Sequence, residues 1–373
     1  MSLLAPAAAR EIRAALLDWF DRHRRDLPWR RSRDPYAIWV SEVMLQQTQV
    51  STVIPYWRRF LERFPAVESL ARAELPEVLA LWRGLGYYAR ARNLHRAAKE
   101  IVSRHGGALP TRARELLALP GFGRYTAGAV ASIAFGEAAP LVDGNVARVL
   151  ARLFEVEGAP GDRAREQRLW ALAAELVDGA RPGDFNQALM ELGATLCGSN
   201  DPSCASCPIR DRCRALGSGR VRELPPPRVR PAKRPLRMAI GVWRRGEALL
   251  LARRAERGLF GGLWELPAVE VGADGDRRAV TRAFRPLLGA VTIGEALGTV
   301  KRTLTHRSLT LDLFAIGGRF APRPNAAIEE WRWVHEDEIG ALGMSTAMER
   351  ALSITLDNRS VGRGTRGARD VRG

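Results

Sequence analysis

The sequence is poor in cysteine and contains no long apolar run. Its 373 residues include only four cysteines, and all four lie between positions 197 and 213. A disulfide framework would need cysteines spread along the chain, so an intracellular metal site is the better prediction. No run of 18 apolar residues is present, and the first ten residues lack the pattern of a secretory signal. We therefore expect a cytoplasmic protein (nuclear or mitochondrial in a eukaryote) without a membrane partner.

Acidic charge is also scarce relative to basic charge. Lys and Arg together number 58 against 41 Asp and Glu, which gives a formal net charge of +17, and nearly all of the cations are arginine. Because a guanidinium group pairs bidentately with phosphate, this excess favours a polyanionic partner such as nucleic acid. A soluble basic protein, or a genome biased towards arginine, would give the same composition.

A stretch rich in Pro, Gly and Arg at residues 217–235 predicts an extended linker that divides the chain. Before it, apolar residues recur with helical spacing, which predicts a mainly α domain over residues 8–216. After it, short apolar runs predict paired strands with two helices, an α+β domain over residues 236–356. We expect residues 357–373, which are rich in Gly and Arg, to be disordered.

The most informative segment covers residues 119–145. It opens with a glycine-rich turn in which Gly121 and Gly123 would let a foreign backbone come close. Small residues follow and predict a helix whose first N–H groups can bind a phosphate. A phosphate held there would bring the neighbouring sugar near Asp143. The alternative is a packing corner between two helices, with Asp143 as an ordinary N-cap or turn residue.

Glu42 is a second candidate for chemistry. Glu42, Gln46 and Gln49 are spaced i, i+4 and i+7, so a continuous helix would place them on one face. A carboxyl group surrounded by amides and apolar residues would be partly buried, which raises its pKa and suits it to act as an acid. The alternative is an exposed glutamate on a helix surface.

Two further segments could contact nucleic acid. Trp29 and Arg30 could stack on a base and hydrogen-bond to it, although a core tryptophan beside a surface arginine is the commoner arrangement. Residues 84–93 combine glycines, paired tyrosines and arginines, which predicts a loop able to wedge an aromatic ring into the base stack. The alternative for this segment is a helix cap with a core tyrosine pair.

The cysteines have the spacing C-x6-C-x2-C-x5-C, formed by Cys197, Cys204, Cys207 and Cys213. Four thiolates so close in sequence are expected to bind metal. Only one pair has the short spacing usual for zinc, so the pattern favours an iron–sulfur cluster. We expect this site to be structural and to hold the basic loop of residues 209–212 in place.

Together these segments resemble the MutY family of adenine DNA glycosylases, over residues 8–356. Besides the four cysteines, the resemblance is carried by L-P-W-R at 27–30, S-E-V-M-L-Q-Q-T-Q-V at 41–50, G-L-G-Y-Y-A-R-A-R-N-L-H at 84–95, L-P-G-F-G-R-Y-T-A-G-A at 119–129 and V-D-G-N-V at 142–146. It implies a mainly α fold, in which a two-lobed helix-hairpin-helix glycosylase domain with a [4Fe-4S] loop precedes an α+β Nudix-like domain. No R-E-x-x-E-E stretch follows Gly262, so Nudix pyrophosphatase chemistry is not expected.

The family removes adenine mispaired with 8-oxoguanine or guanine after flipping the nucleotide out of the duplex. The resemblance implies that Glu42 protonates the adenine, that Asp143 stays ionised beside the oxocarbenium-like sugar, and that Tyr125 and Asn145 support this pair. Trp29, Arg30, Leu45 and Gln187 would line the base pocket. The other residues expected to contact DNA are Gln47, Thr48, Tyr87, Gly121, Gly123, Thr305 and His306, and the partner is double-stranded DNA with an A:8-oxoguanine or A:G mispair, bound by a monomer.

Two positions sharpen or weaken this expectation. The related endonuclease III family has a lysine at the position of Tyr125, which serves as a Schiff-base nucleophile; a phenol cannot do this, so we expect a monofunctional glycosylase. The family's Phe-Ser-His in the lesion-reading loop is Leu304-Thr305-His306 here, so the preference for 8-oxoguanine could be weaker. The alternative functions are an endonuclease III-like glycosylase and lyase for oxidised pyrimidines, a non-catalytic DNA-binding protein, and a nucleotide hydrolase in the C-terminal half.

Overall fold

The computed structural model describes residues 3–227, 232–256, 258–272, 276–318 and 326–363. The chain divides into two compact units, Met1–Arg72 with Asn93–Val229, and Ala73–Arg92 with Arg230–Gly373. None of the described helices is both long enough and apolar enough to cross a membrane.

The first unit is helical, as the sequence predicts. Its helices are α1 (Pro6–His23), α2 (Pro35–Leu45), α3 (Val50–Arg63), α4 (Val67–Arg72), most of α6 (Ala89–His105), α7 (Ala113–Leu116), α8 (Arg124–Phe135), α9 (Gly144–Leu153), α10 (Arg163–Val177), α11 (Pro182–Thr195) and α12 (Arg214–Gly217), while α5 (Leu75–Leu81) belongs to the second unit.

One apolar core joins α1, α9, α10 and α11. Each helix contributes residues spaced three or four apart, for example Ile12, Leu16 and Phe20 on α1, all of which are buried. This spacing places the apolar side chains on a single stripe of each helix. The core therefore fixes the N-terminus of α9 and one face of α11.

Helix α8 packs between α2 and α11 because its side chains are small. A Cβ atom added at Gly128 would lie 2.0 Å from the carbonyl oxygen of Pro140, and one added at Gly183 on α11 would lie 2.4 Å from that of Ser132. These distances are below any real contact, so both glycines are required for the close approach. The small-residue run that the sequence predicts to be a helix is thus the tightly packed centre of the unit.

The prediction that Glu42, Gln46 and Gln49 share one helix face is wrong. Helix α2 begins at Pro35, with Asp34 as its N-cap, and ends at Leu45. Gln47 has a φ of +57°, which turns the chain, and Gln49 caps the N-terminus of α3. Only Glu42 of the three therefore projects from α2.

The second unit contains two sheets and, besides α5, two later helices. Its strands are β1 (Arg234–Val242), β2 (Arg244–Arg245), β3 (Ala248–Arg254), β4 (Trp264–Glu265), β5 (Ala268–Glu270), β6 (Val291–Thr303), β7 (Arg307–Gly318) and β8 (Ile328–His335), and its later helices are α13 (Arg277–Leu288) and α14 (Thr346–Arg363). One sheet has the order β5-β1-β7-β6, in which β1 and β7 are parallel; in the other, β3 pairs with β2, β4 and β8. The α+β prediction is confirmed.

The domain boundaries differ from the prediction. Residues 73–92, which the sequence assigns to the helical domain, belong to the second unit. The hydroxyl of Tyr88 donates a hydrogen bond to the carbonyl of Met344 (2.6 Å), and Arg92 donates to the carbonyl of Gly261 (2.6 Å). These contacts join residues far apart in sequence, which no local pattern reveals.

Both ends of the predicted linker at 217–235 are structured. Residue 217 ends α12, and β1 begins at Arg234. Val221 and Leu224 are buried together with Ala215, and Arg220 pairs with Glu155, so this part packs onto the helical unit. Residues 228–231 lie outside the described part of the chain.

The predicted disordered tail at 357–373 is helical over its first seven residues, because α14 continues to Arg363. The buried residues Ala347, Met348, Ala351 and Leu352 anchor this helix on the sheet. Residues 364–373 lie outside the described residues.

Candidate active site

Nine of the predicted site residues line one solvent-open cavity of about 840 Å³ in the helical unit. Its side chains come from the 3-10 turn Pro28–Arg30, the α2–α3 loop, the helices α2, α8 and α11, and the start of α9. The nine residues are Trp29, Arg30, Glu42, Leu45, Thr48, Tyr125, Asp143, Asn145 and Gln187.

Glu42 is buried in the wall of this cavity, with 5% of its surface exposed. Burial raises the pKa of its carboxyl group to about 7; the hydrogen bond from Tyr125 and the charge of Arg30 oppose this rise, and the charge of Asp143 adds to it. The prediction of a semi-buried carboxyl with a raised pKa is confirmed, and an exposed surface glutamate is excluded. Such a group still carries its proton near neutral pH.

Tyr125 lies on the first turn of α8 and holds Glu42 in place. Its hydroxyl lies 2.6 Å from Oε2 of Glu42 and 3.3 Å from the sulfur of Met190. Burial and then the charges of Glu42 and Asp143 raise the pKa of the phenol well above its usual value. The phenol therefore remains a hydrogen-bond donor to the carboxyl group.

Asp143 is the N-cap of α9. Its Oδ1 accepts a hydrogen bond from the backbone N–H of Val146 (2.7 Å), and its Oδ2 accepts one from Nδ2 of Asn145 (3.3 Å). Burial raises the pKa of Asp143, while the amides of Val146 and Asn145 and the charge of Arg148 oppose the rise. The two interpretations of Asp143 are not exclusive, because the capping side chain also faces the cavity.

Arg148, one turn further along α9, fixes the orientation of Asn145. Its Nη2 donates to Oδ1 of Asn145 (2.8 Å) and to the carbonyl of Gly193 (2.7 Å), and its Nε donates to the carbonyl of Cys197 (2.8 Å). The start of α9, the end of α11 and the first cysteine are thereby tied together.

The four cysteines line a second, apolar cavity of the same unit, and none of the residues lining it is His, Asp or Glu. Burial, and to a lesser degree the neighbouring thiols, raises the pKa of Cys207 to about 11. Thiolates packed this closely need a bound cation, and four sulfur donors fit the ligand set of an iron–sulfur cluster. The fit rests on the type of donor atom and not on its placement, because in the described residues no group of three or more Cys, His, Asp or Glu side chains is placed to hold a metal ion.

Gln47, Gly121 and Gly123 lie outside the lining of the cavity that holds Glu42 and Asp143, and they are exposed. Gly121, with a φ of +79°, forms the turn before α8, and Gly123 is the N-cap of that helix. The predicted turn before a helix N-terminus is confirmed.

Tyr87, Thr305 and His306 line a solvent-open cavity of the second unit, of about 1420 Å³ including open solvent. Tyr87 is 46% exposed, has a φ of +49°, and its hydroxyl lies 2.5 Å from Oγ1 of Thr305 in the loop between β6 and β7. Its neighbour Tyr88 is buried. The tyrosine pair thus divides between an exposed ring and a core ring, and residues 89–93, predicted as loop, already belong to α6.

A buried arginine supports the loop that carries Tyr87. The Nη2 of Arg90 donates to the carbonyls of Leu85 (3.2 Å) and Gly86 (3.1 Å), and its guanidinium lies over the rings of Trp82 and Tyr87. Arg92, Arg302 and Arg307 add positive charge to the same cavity lining.

The sequence analysis does not predict the ion pairs in the cavity wall. Glu191 on α11 is buried and binds both Arg25 and Arg30. The only available signal is a glutamate placed between the apolar residues Leu189 and Leu192. That placement indicates a buried acid but does not identify its partners.

Comparison with known proteins gives matches to both units. Residues 40–175 match the HhH-GPD superfamily base excision DNA repair protein family, and residues 238–353 match the NUDIX domain family. A solved structure of a thermostable thymine-DNA glycosylase is 30% identical, with a TM-score of 0.51; the alignment covers 57% of this chain and 98% of that one.

Full-length relatives extend the match. The human protein named adenine DNA glycosylase is 38% identical over 92% of this chain and 73% of its own length. The rat protein of the same name is 38% identical over 93% of this chain and 78% of its own length. Because these alignments run through both units and not through the helical one alone, the chain belongs to the adenine DNA glycosylase family.

Proposed function

We propose that this protein is a base-excision-repair glycosylase that removes adenine mispaired with 8-oxoguanine or guanine in double-stranded DNA. The observation that carries the proposal is the buried Glu42 carboxyl group, whose pKa of about 7 lets it act as an acid in the cavity that also holds Asp143. Two carboxyl groups with different environments are the usual equipment for cleaving a glycosidic bond.

In this mechanism the adenine nucleotide leaves the helix and enters the cavity, since the sugar cannot be attacked inside a duplex. Trp29, Arg30, Leu45 and Gln187 hold the base. Because Oε2 of Glu42 accepts the hydrogen bond from Tyr125, the acidic proton resides on Oε1 and is transferred to the adenine. Protonation weakens the N-glycosidic bond by turning the base into a neutral leaving group.

Asp143 acts as the second carboxyl group. Burial raises its pKa, but its position at the N-terminus of α9, with backbone amides bound to its oxygens, and the charge of Arg148 oppose that rise and support the anion. The anion stabilises the positive charge that develops on the sugar, and Asn145 keeps its carboxylate in place. Water then completes the hydrolysis; with a phenol at Tyr125 instead of an amine, no covalent Schiff base forms.

Recognition around the opposite base falls to Tyr87, Thr305 and His306 of the second unit and to Gln47 of the first. Tyr87 wedges into the stack next to the lesion, Gln47 fills the gap left by the flipped base, and Thr305 and His306 bind the oxidised guanine or its phosphate. The hydrogen bond between Tyr87 and Thr305 supports a shared role in reading the lesion. Leu304 packs against the apolar core of the second unit. Because this residue is a leucine, it offers no aromatic ring to the lesion.

Three further features complete the proposal. The turn at Gly121 and Gly123, together with the N-terminus of α8, binds a DNA phosphate. Cys197, Cys204, Cys207 and Cys213 hold a [4Fe-4S] cluster, which when bound cross-links residues 197–213 and so stabilises the basic loop 209–212. We also propose that the enzyme acts as a monomer.

Single-turnover assays on metallated enzyme should show adenine release opposite 8-oxoguanine and guanine, with no release of thymine. We expect Glu42→Gln and Asp143→Asn to lower the rate by about 10²-fold or more, because each removes a group that acts on the transition state. DNA affinity should change little, as neither side chain carries the phosphate contacts.

The matched control is Glu62→Gln, which alters an exposed glutamate on α3 and should retain the full rate. Full adenine release by Glu42→Gln would refute the role of the acid. Efficient trapping of the wild-type protein on DNA by borohydride would instead indicate a Schiff base and refute the hydrolytic mechanism.

The same Glu42→Gln substitution should increase stability at alkaline pH. The pKa of Glu42 is about 7 in the folded protein, against an ordinary value of 4.5. The stability that protonated Glu42 confers is complete below pH 4.5 and is lost as the pH rises through 7, amounting to up to about 3 kcal/mol. Urea unfolding should therefore show a larger gain for Glu42→Gln over wild type at pH 8 than at pH 5, and an equal gain at both would show that Glu42 is not desolvated.

His306→Ala should reduce the preference for adenine opposite 8-oxoguanine over adenine opposite guanine. A lost hydrogen bond to the lesion corresponds to about 1 kcal/mol, or a roughly fivefold change in the ratio of single-turnover rates, measured with enzyme in excess over DNA but below saturation. The control is His335→Ala, outside the lining of the cavity. An unchanged ratio would remove His306 from lesion recognition.

A further inference from the structure

Among the carboxyl groups that line the catalytic cavity, that of Glu191 accepts the most hydrogen bonds. Its side chain is 1% exposed. Its Oε1 accepts hydrogen bonds from the backbone N–H of Arg25 (3.0 Å) and from Nε of Arg25 (2.7 Å), while its Oε2 accepts from Nη2 of Arg25 (2.8 Å) and Nη2 of Arg30 (2.9 Å). Two arginines therefore share one carboxylate.

Arg30 has a second carboxyl group available in the same cavity, that of Glu42. Its guanidinium is nevertheless directed at Glu191, its Nη1 donates to the carbonyl of Arg25 (3.1 Å), and it lies 5.3 Å from the centre of the Phe20 ring. The other charged or titratable side chains that line the cavity are Arg25, Tyr125 and Asp143. Of the cations there, Arg30 is the one that lowers the pKa of Glu42.

The two glutamates are held in opposite protonation states. Burial would raise the pKa of Glu191, but the hydrogen bonds from Arg25 and Arg30 lower it to about 2. Burial raises the pKa of Glu42 to about 7. Between these values the guanidinium of Arg30 has an ionised partner in Glu191 and a neutral neighbour in Glu42. A cation that paired with Glu42 would favour its ionised form and remove the acid.

We infer that Glu191 is a positioning residue that captures the Arg30 guanidinium and so prevents it from forming an ion pair with Glu42. The inference rests on the proposed role of Glu42 as the acid. Glu191 thereby keeps the proton on the Glu42 carboxyl group, although Glu191 itself need not touch the substrate.

The direct test is an infrared pH titration of the free, metallated protein, in which the C=O band of protonated Glu42 is identified by its loss in Glu42→Gln. In Glu191→Gln the midpoint of this band should fall by about one pH unit, the effect of one opposite charge close by. In Glu191→Gln/Arg30→Met, which removes the cation as well, the midpoint should return to the wild-type value or above it. A fall that persists in the double variant would overturn the inference.

The kinetic counterpart is the single-turnover rate of adenine release. For Glu191→Gln we expect a fall of about tenfold at pH 8 and less than twofold at pH 5.5, because the fraction of protonated Glu42 changes only above its pKa. DNA affinity should be unchanged. The matched control is Asp184→Asn. Asp184 lies on the same helix as Glu191 and pairs with Arg181, but it does not line the cavity.

A loss of rate that is equal at both pH values would indicate a general structural defect and overturn the inference. If Glu191→Gln does not fold, Arg30→Met alone decides. If Glu191 holds the Arg30 guanidinium, removing that guanidinium should raise the midpoint of the Glu42 infrared titration by less than about half a pH unit. A rise of one unit or more would contradict capture by Glu191. Absence of adenine release by the wild type would refute the proposed function, while the infrared titration would still test the contact.

Discussion

The desolvation of one carboxyl group is the constraint on which the catalytic cavity depends. Glu42 is surrounded by α2, α8 and the start of α9, and water that would solvate its anion is largely excluded. Every neighbouring group acts on this balance: Tyr125 donates to the carboxyl group, Asp143 adds like charge, and Arg30 is engaged elsewhere. The chemistry of the site therefore follows from packing, because the close contact of α8 with its neighbours buries the Glu42 side chain.

Helix α9 connects the site to the rest of the helical unit. Its N-cap is Asp143, its buried face joins the core shared with α1, α10 and α11, and Arg148 binds the carbonyl of Cys197. Arg152, one turn later, donates to the sulfur of Cys197 (3.3 Å). The geometry of the Asp143 carboxylate is thus fixed by a helix that is anchored along its whole length, which a functional group needs if it is to be pre-organised.

How far the sequence predicts this site depends on how local the determining contacts are. Glu42, Tyr125 and Asp143 could be found because each lies in a short motif, and the turn at Gly121 could be found because only glycine suits its backbone. The face shared by Glu42, Gln46 and Gln49 is not found in the structure, since the backbone leaves the helix at Gln46 and turns at Gln47. The pairing of Glu191 with Arg25 and Arg30 joins residues about 160 positions apart, and the placement of residues 73–92 in the second unit depends on contacts equally remote in sequence.

The pH dependence of the wild-type single-turnover rate, measured on an A:8-oxoguanine duplex at saturating enzyme, tests the role of Glu42 most directly. If the buried carboxyl group is the acid, the rate should be constant at low pH and fall about tenfold per pH unit above a midpoint near 7. A rate that remains constant from pH 6 to pH 9 would contradict the central claim that Glu42 supplies the proton.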